Sequence, residues 1–264
     1  MIKHTLYLIN LHHMLKTFST SLILFFLWFI SIPVASHDLR IISEDFPPIS
    51  YMNNGKVNGI GIDIAHNLLK SIDASYGNIE LYPWSRAFYV VSKNRNTLIT
   101  SMARTSDREH LFKWVGPILD RKIWLYKHNA DKEVIIKKLS DAKRFITSAM
   151  RSSASDIQLQ NAGFEEGNNL ELVTQEIQQI KMLISKRVKL IAMNELTFKW
   201  YTKNHFHNIP NNLITPSFLL SNDIKYYIAF NINTSDEVIS KLQNELDKMK
   251  KDGRLEKIIA LHVK

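Results

Sequence analysis

Apolar positions along the chain follow two alternating rhythms. Short apolar or β-branched runs at 39–42, 79–82, 98–102, 144–149 and 188–193 have the length of strands. Between them, 62–75, 134–144, 176–186, 236–251 and 255–261 repeat apolar residues at helical spacing. Ile64, Leu68, Leu69 and Ile72 share one face of the first such segment, and Ile177, Ile180, Leu183 and Ile184 share one face of the third. Ser85 marks a helix over 86–93, and Ser153 with Asp156 marks another that Gly163 ends. Pro47 and Pro48 keep 43–48 out of helix, Glu171 and Leu172 open a weak strand, and 209–216 is expected as loop. Two longer β-type runs, KIWLYK at 122–127 and KYYIAFN at 225–231, stand apart from the shorter ones. Alternating strands and helices predict an α/β fold.

Chemistry first concentrates in the stretch SMARTSDREHLFKWVGP, residues 101–117. Ser106-x-x-Glu109 has capping-box spacing, which predicts a helix starting after Thr105 or Ser106, just beyond the strand at 98–102. Arg108 then falls in a first helical turn, where a cation costs about 0.3–1 kcal/mol unless an anion offsets it. Hydroxyls of Ser101, Thr105 and Ser106, helix-start amides and a guanidinium fork together suit a carboxylate or phosphate. Its place at the carboxyl end of a strand is where ligands collect on open α/β sheets. The competing account is a surface arginine paired with Asp107 or Glu109, and Arg104 lies one turn earlier.

Composition narrows the setting. The chain has 264 residues, 45% of them apolar, enough for one large domain or two lobes. Residues 1–36 read as an export signal, with Lys3 and Lys16 ahead of an apolar run at 22–32 and small residues before a cleavage point after Ser36. No later window is apolar enough to span a bilayer. Net charge is +9, falling to +7 when Lys3 and Lys16 leave with the signal. A basic exported protein suits anionic small molecules or an anionic envelope surface, although a general bias toward lysine explains the total better. Scattered lysines without zinc or RNA-binding patterns argue against nucleic acid. With no cysteine there is no disulfide, lipid-modified cysteine or thiolate metal site. The histidines are dispersed, so neither a metal nor a cofactor is expected.

A series of motifs runs in order through nearly the whole mature chain. It comprises Pro47-Pro48-x-x-Tyr51, Gly59-x-x-x-Asp63-Ile64, Pro83-Trp84-x-Arg86-Ala87, Arg104-Thr-x-x-Arg108-Glu109, Trp114-Val-Gly-Pro117, residues 226–230, and Lys250-x-x-Gly253-x-Leu255. In this the sequence resembles the amino-acid-type periplasmic solute-binding proteins, extracellular solute-binding family 3. The resemblance implies a two-lobed α/β fold of the type II periplasmic-binding kind, closing on a ligand that is passed to an ABC permease. Lobe one would be 37–122 with 227–264 and lobe two 123–226, joined by KIWLYK and KYYIAFN as crossing hinge strands. A monomer is implied, with a small anionic or zwitterionic ligand and an ABC permease or a membrane sensor as partner.

The resemblance also implies a site. Arg108 would grip a ligand carboxylate with Ser101 and Met102 of the preceding strand end, Phe46 would cover the ligand, and Ser152 and Ser153 would close on the same carboxylate. Trp84 and Arg86 would face the cleft, with core packing as the competing role for Trp84. The family places an aspartate where this chain has Asn194, and another where Ser43 stands. Glu44 or Glu195 would then have to offset a ligand ammonium. Failing that, Arg86, Arg104 and Arg108 point to a dianionic or carboxylate-only ligand. Two alternatives remain at this stage: a periplasmic dehydratase acting on prephenate-like acids with Glu44 as general acid, and a ligand-sensing adaptor without a permease.

Overall fold

Two five-stranded sheets organise the computed structural model, which describes residues 39–210 and 212–263. The expected export signal, residues 1–36, lies outside the described residues. In chain order the first part holds β1 (Arg40–Ser43), the small hairpin β2 (Tyr51–Asn53) and β3 (Lys56–Asn58), α1 (Ile60–Lys70), β4 (Glu80–Leu81), α2 (Trp84–Lys93), β5 (Thr97–Ala103) and β6 (Phe112–Asp120). Next come β7 (Ile123–His128), α3 (Leu139–Ala142), β8 (Thr147–Met150), α4 (Ala154–Asn161), β9 (Leu170–Val173), α5 (Glu176–Ile184), β10 (Leu190–Asn194), α6 (Glu195–Asn204) and β11 (Ile214–Ser221). The chain closes with β12 (Lys225–Asn231), α7 (Asp236–Lys251) and α8 (Arg254–Val263).

The first sheet has the order β4-β1-β5-β12-β6, with β4, β1 and β5 parallel and β12 antiparallel to both neighbours. One face packs Ile64 and Leu68 of α1 with Leu242 and Leu246 of α7 and Leu255 of α8. Its other face packs Trp84, Ala87 and Val91 of α2. The second sheet has the order β11-β7-β10-β8-β9. Alternate residues of its strands feed opposite cores: Leu125, Leu190 and Ala192 enter one cluster, Tyr126, Ile191 and Met193 the other. Each sheet is therefore buried on both faces, as its near-continuous apolar runs require.

The chain passes between the sheets twice, at residues 121–122 and 222–224. KIWLYK begins within the first crossing and continues as β7 of the second sheet, and KYYIAFN is β12 of the first sheet, beginning just after the second crossing. Arg121, on the first crossing, donates to Ser221 Oγ at the second (3.0 Å) and to Ser155 Oγ on α4 (2.6 Å). Gly59 opens α1 at φ 133°, and a Cβ there would stand 2.3 Å from the carbonyl oxygen of Ile49. No side chain fits this position, so the glycine sets the α1 start against the loop after β1.

Several expected elements differ. No helix forms after Ser106: residues 106–111 make tight turns, with the Arg108 amide donating to the Thr105 carbonyl and the Leu111 amide to that of Arg108. Only eight residues separate β5 from β6, and Glu109 is taken by Arg104 Nε (2.8 Å) and Nη2 (2.5 Å) instead of capping an amide. Helix α2 starts at Trp84 with Pro83 at its cap, ahead of Ser85. The helix expected over 134–144 shrinks to the four residues of α3. Strand β11 begins inside the segment expected as loop.

Candidate functional site

The carboxyl ends of β1, β5, β8 and β10 point toward a common space, and each delivers polar side chains to it. After β1 the chain turns at Phe46, whose carbonyl accepts from the Ile49 and Ser50 amides. The Ser50 hydroxyl donates to the Glu44 carbonyl (2.7 Å), while Ser43 Oγ and Thr100 Oγ1 lie 2.7 Å apart. These bonds fix the Glu44–Phe46 backbone, and the Phe46 ring meets that of Tyr226 edge-on at 5.7 Å. At the end of β5, Ser101 is buried and its Oγ has no hydrogen-bond partner among the described residues.

Arg108 is 2% exposed although it sits in a turn. Its Nη1 donates to the Ala103 carbonyl (3.4 Å) and its Nη2 to the Ser152 carbonyl (3.2 Å). The guanidinium lies 5.1 Å from the Trp84 ring centre and 5.5 Å from that of Phe88. Burial pulls its pKa down, and Asp107, 3.9 Å away and half exposed, opposes this. Trp84 Nε1 also donates to the Ser152 carbonyl (2.8 Å). Ser152 has φ 58°, and its amide donates to Asp156 Oδ2 (2.7 Å). This left-handed turn before α4 presents its carbonyl to Trp84 and Arg108, joining the first sheet's helix and turn to the second sheet's helix start.

The second sheet supplies Ser153 and Ser155 from α4, Glu176 from the first position of α5, and Asn194 from the end of β10. The Ser153 hydroxyl accepts from the Asp156 amide (3.1 Å), so it serves as the α4 cap. Asn194 Oδ1 accepts from the amides of Leu196 (2.8 Å) and Thr197 (3.4 Å), capping α6. Its carbonyl oxygen is thus committed to the helix, and its amide N–H side faces the Tyr226 hydroxyl.

These groups enclose a cavity of about 50 Å³. That is well below the ~150 Å³ that holds benzene. Of the residues singled out in the sequence, Glu44, Phe46, Trp84, Ser101, Arg108, Ser153 and Asn194 line it. Met102 is buried in the core beneath, and Ser152 contributes only its carbonyl at the edge. Arg104 and Arg86 do not line it. Arg104 is paired with Glu109 and lies over Tyr227, whereas Arg86 is exposed and lies 4.2 Å over Tyr82. Glu195 is likewise outside the lining and held by Lys122 (3.0 Å) and Lys199 (2.5 Å).

Among the lining residues that sequence reasoning missed, the polar ones are Arg121, Ser155, Glu176 and Tyr226. Glu44 and Glu176 are each 8% exposed, and neither has an ion-pair partner among the described residues. Burial pushes the Glu44 carboxyl up to about 8, aided by Glu176 and Asp45 and opposed by Arg108. Burial also raises Glu176 to about 7, opposed by Arg121 and by Gln179 Nε2, which donates to it at 2.7 Å. Tyr226 is pushed up to about 12, again chiefly by burial. The cavity thus faces a guest with two guanidinium groups, two readily protonated carboxyls and several hydroxyls. It has the means to hold a small carboxylate at one end and to exchange a proton at another.

Residues 39–263 match the family model for bacterial extracellular solute-binding proteins, family 3. No match was found among curated proteins. Among solved structures, a histidine kinase sensor domain similar to periplasmic binding proteins superposes with a TM-score of 0.76 at 15% identity, covering 86% of this chain and 97% of its own. An ancestral arginine-binding protein bound to arginine gives 0.75 at 19% identity, covering 86% and 99%. An amino acid ABC transporter substrate-binding protein, AbpA from Streptococcus pneumoniae Canada MDR_19A bound to L-arginine, gives 0.72 at 17% identity, covering 87% and 96%. At such identities the likeness speaks to the fold, which is the two-lobed α/β architecture of type II periplasmic binding proteins. With the match over nearly all of the described residues, the chain belongs to the bacterial extracellular solute-binding proteins, family 3.

Proposed function

We propose that this protein is exported to the periplasm, captures an amino acid between its lobes and presents it to an ABC-type permease. The observation that carries the reading is Arg108: a buried guanidinium at the carboxyl end of β5, in a cavity that both sheets line. A charge-assisted hydrogen bond there is worth about 1.5–3 kcal/mol, and its donors are in place before a ligand arrives. Ser101, whose hydroxyl has no partner among the described residues, lines the same cavity, and Phe46 and Trp84 supply apolar walls. The moving bodies in this reading are 37–122 with 227–264 and 123–226, turning about the crossings that Arg121 braces. AbpA, an amino acid ABC transporter component by name, favours transport, while the sensor domain of similar fold keeps a signalling partner in view.

The test is a thermal-shift screen of the mature chain against amino acids, dicarboxylates and aromatic acids. A ligand that prefers the folded state raises the melting point by mass action. The expected result is a rise with one or a few amino acids, and no rise with any of them contradicts the reading. A second reading, dehydration of a prephenate-like acid, is favoured by one observation: two buried carboxyls whose pKa values suit a general acid near neutral pH. Turnover of prephenate or arogenate above the blank decides for it.

A further inference from the structure

Glu44 reaches the cavity from the loop after β1 and Glu176 from the start of α5, so the two carboxyls belong to different sheets. Closing the cleft therefore brings two acids together in a dry space. Like charges that share a site cannot both stay ionised cheaply. The surrounding charges do not settle the pair. Arg108 is engaged by the carbonyls of Ala103 and Ser152, and Arg121 by the hydroxyls of Ser155 and Ser221. Glu44 has no side-chain hydrogen-bond partner among the described residues, and Glu176 has only Gln179. Asp45, beside Glu44, adds a further negative charge that His205 of α6's end partly offsets, and Tyr201 and Tyr226 face the pair as neutral phenols. Asn194 cannot serve as acceptor, since its oxygen caps α6.

We propose that Glu44 and Glu176 form a cation subsite that exchanges a bound proton for a cationic nitrogen of the ligand as the lobes close. This deepens the amino-acid reading and rests on it: Arg108 takes the ligand's carboxylate, and the two glutamates take its ammonium. Before binding, closure leaves at least one carboxyl protonated. On binding, that O–H gives its proton to solvent and the resulting carboxylate accepts from the ammonium. The raised pKa values of both groups agree with this exchange. The ligand class is then a zwitterionic or cationic amino acid, and the dianionic alternative loses its support along with Arg86 and Arg104.

The experiment titrates the standard L-amino acids and, as carboxylate-only probes, the corresponding des-amino acids into the mature chain by calorimetry. Titrations run at about pH 6 and about pH 8 in buffers of different ionisation enthalpy, so that released protons are counted. The subsite predicts that an amino acid binds, that its des-amino counterpart binds at least about tenfold more weakly, and that protons are released at the lower pH. Affinity should rise by up to about tenfold per pH unit for each proton released. Glu44→Gln and Glu176→Gln, close in shape to the protonated acids, should each reduce both the proton release and the pH slope. Amino-acid binding without proton release, unchanged in both variants, overturns the subsite and leaves the amino-acid reading standing. Des-amino acids binding as tightly as amino acids also overturn it. Failure of every amino acid to bind overturns the reading beneath it.

Discussion

Among individual residues, the contact that most directly ties the two sheets is the one converging on the Ser152 carbonyl from Trp84 and Arg108. Trp84→Phe keeps an aromatic wall and removes a single donor. It should weaken ligand binding by about 0.5–1.5 kcal/mol, a two- to tenfold loss by calorimetry, with little change in melting point. No change in affinity would mean that this bond plays no part in closure. Arg108 was legible as a candidate, but for a partly mistaken reason. Capping-box spacing suggested a helix start, whereas a tight turn buries the guanidinium against two aromatic rings and two carbonyls. Glu176 was hidden because an acid in the first turn of an amphipathic helix ordinarily faces water. The available signal was Gln179 three residues on, which puts two polar side chains on the same face as Ile180 and Leu183. Arg121 carried no local signal, since its partners Ser155 and Ser221 are 34 and 100 residues away.

At the scale of elements, apolar periodicity located most strands and the long helices, and it failed where proline lies in a strand. β6 contains Pro117 and β11 contains Pro216, and both lie at the edges of their sheets, where a missing backbone N–H is tolerated. β11 also carries a register shift between Pro216 and Phe218. Edge position is a property of the assembled sheet and has no local signature. α7 and α8 were evident as helices, but their packing on the first sheet depends on β12 returning between β5 and β6. His262 Nε2, 2.7 Å from Asp63 Oδ2, joins α8 to α1. Because Leu246 is fully buried in this layer, Leu246→Ala should cost about 2–5 kcal/mol in urea unfolding. Ligand affinity of the folded variant should be unchanged, because Leu246 does not line the cavity. A loss below about 1 kcal/mol would show that the helix is not held as described.

For the whole molecule, the consequence of two buried carboxyls is a pH-dependent stability. The unfolded chain holds these groups at the ordinary value of 4.5, whereas the folded chain raises them to about 8 and about 7. The folded state binds more protons across that interval, so stability is fully present below the lower value and is lost as pH rises through 7 and 8. The melting point of the ligand-free protein should therefore fall on going from about pH 5 to about pH 8, and fall less in Glu176→Gln. An equal decline in both proteins would remove Glu176 from the cause. Added amino acid should flatten the decline, because an ammonium replaces the proton.

The most direct measurement compares the parent chain with Arg108→Ala in calorimetric titrations of whichever amino acid most raises the parent's melting point. Loss of a buried charge partner at about 2–5 kcal/mol predicts that affinity falls by about two orders of magnitude or more while the unliganded variant keeps its fold. Equal affinity in the two proteins would contradict the assignment of Arg108 to the ligand carboxylate, and with it the central account of this cleft.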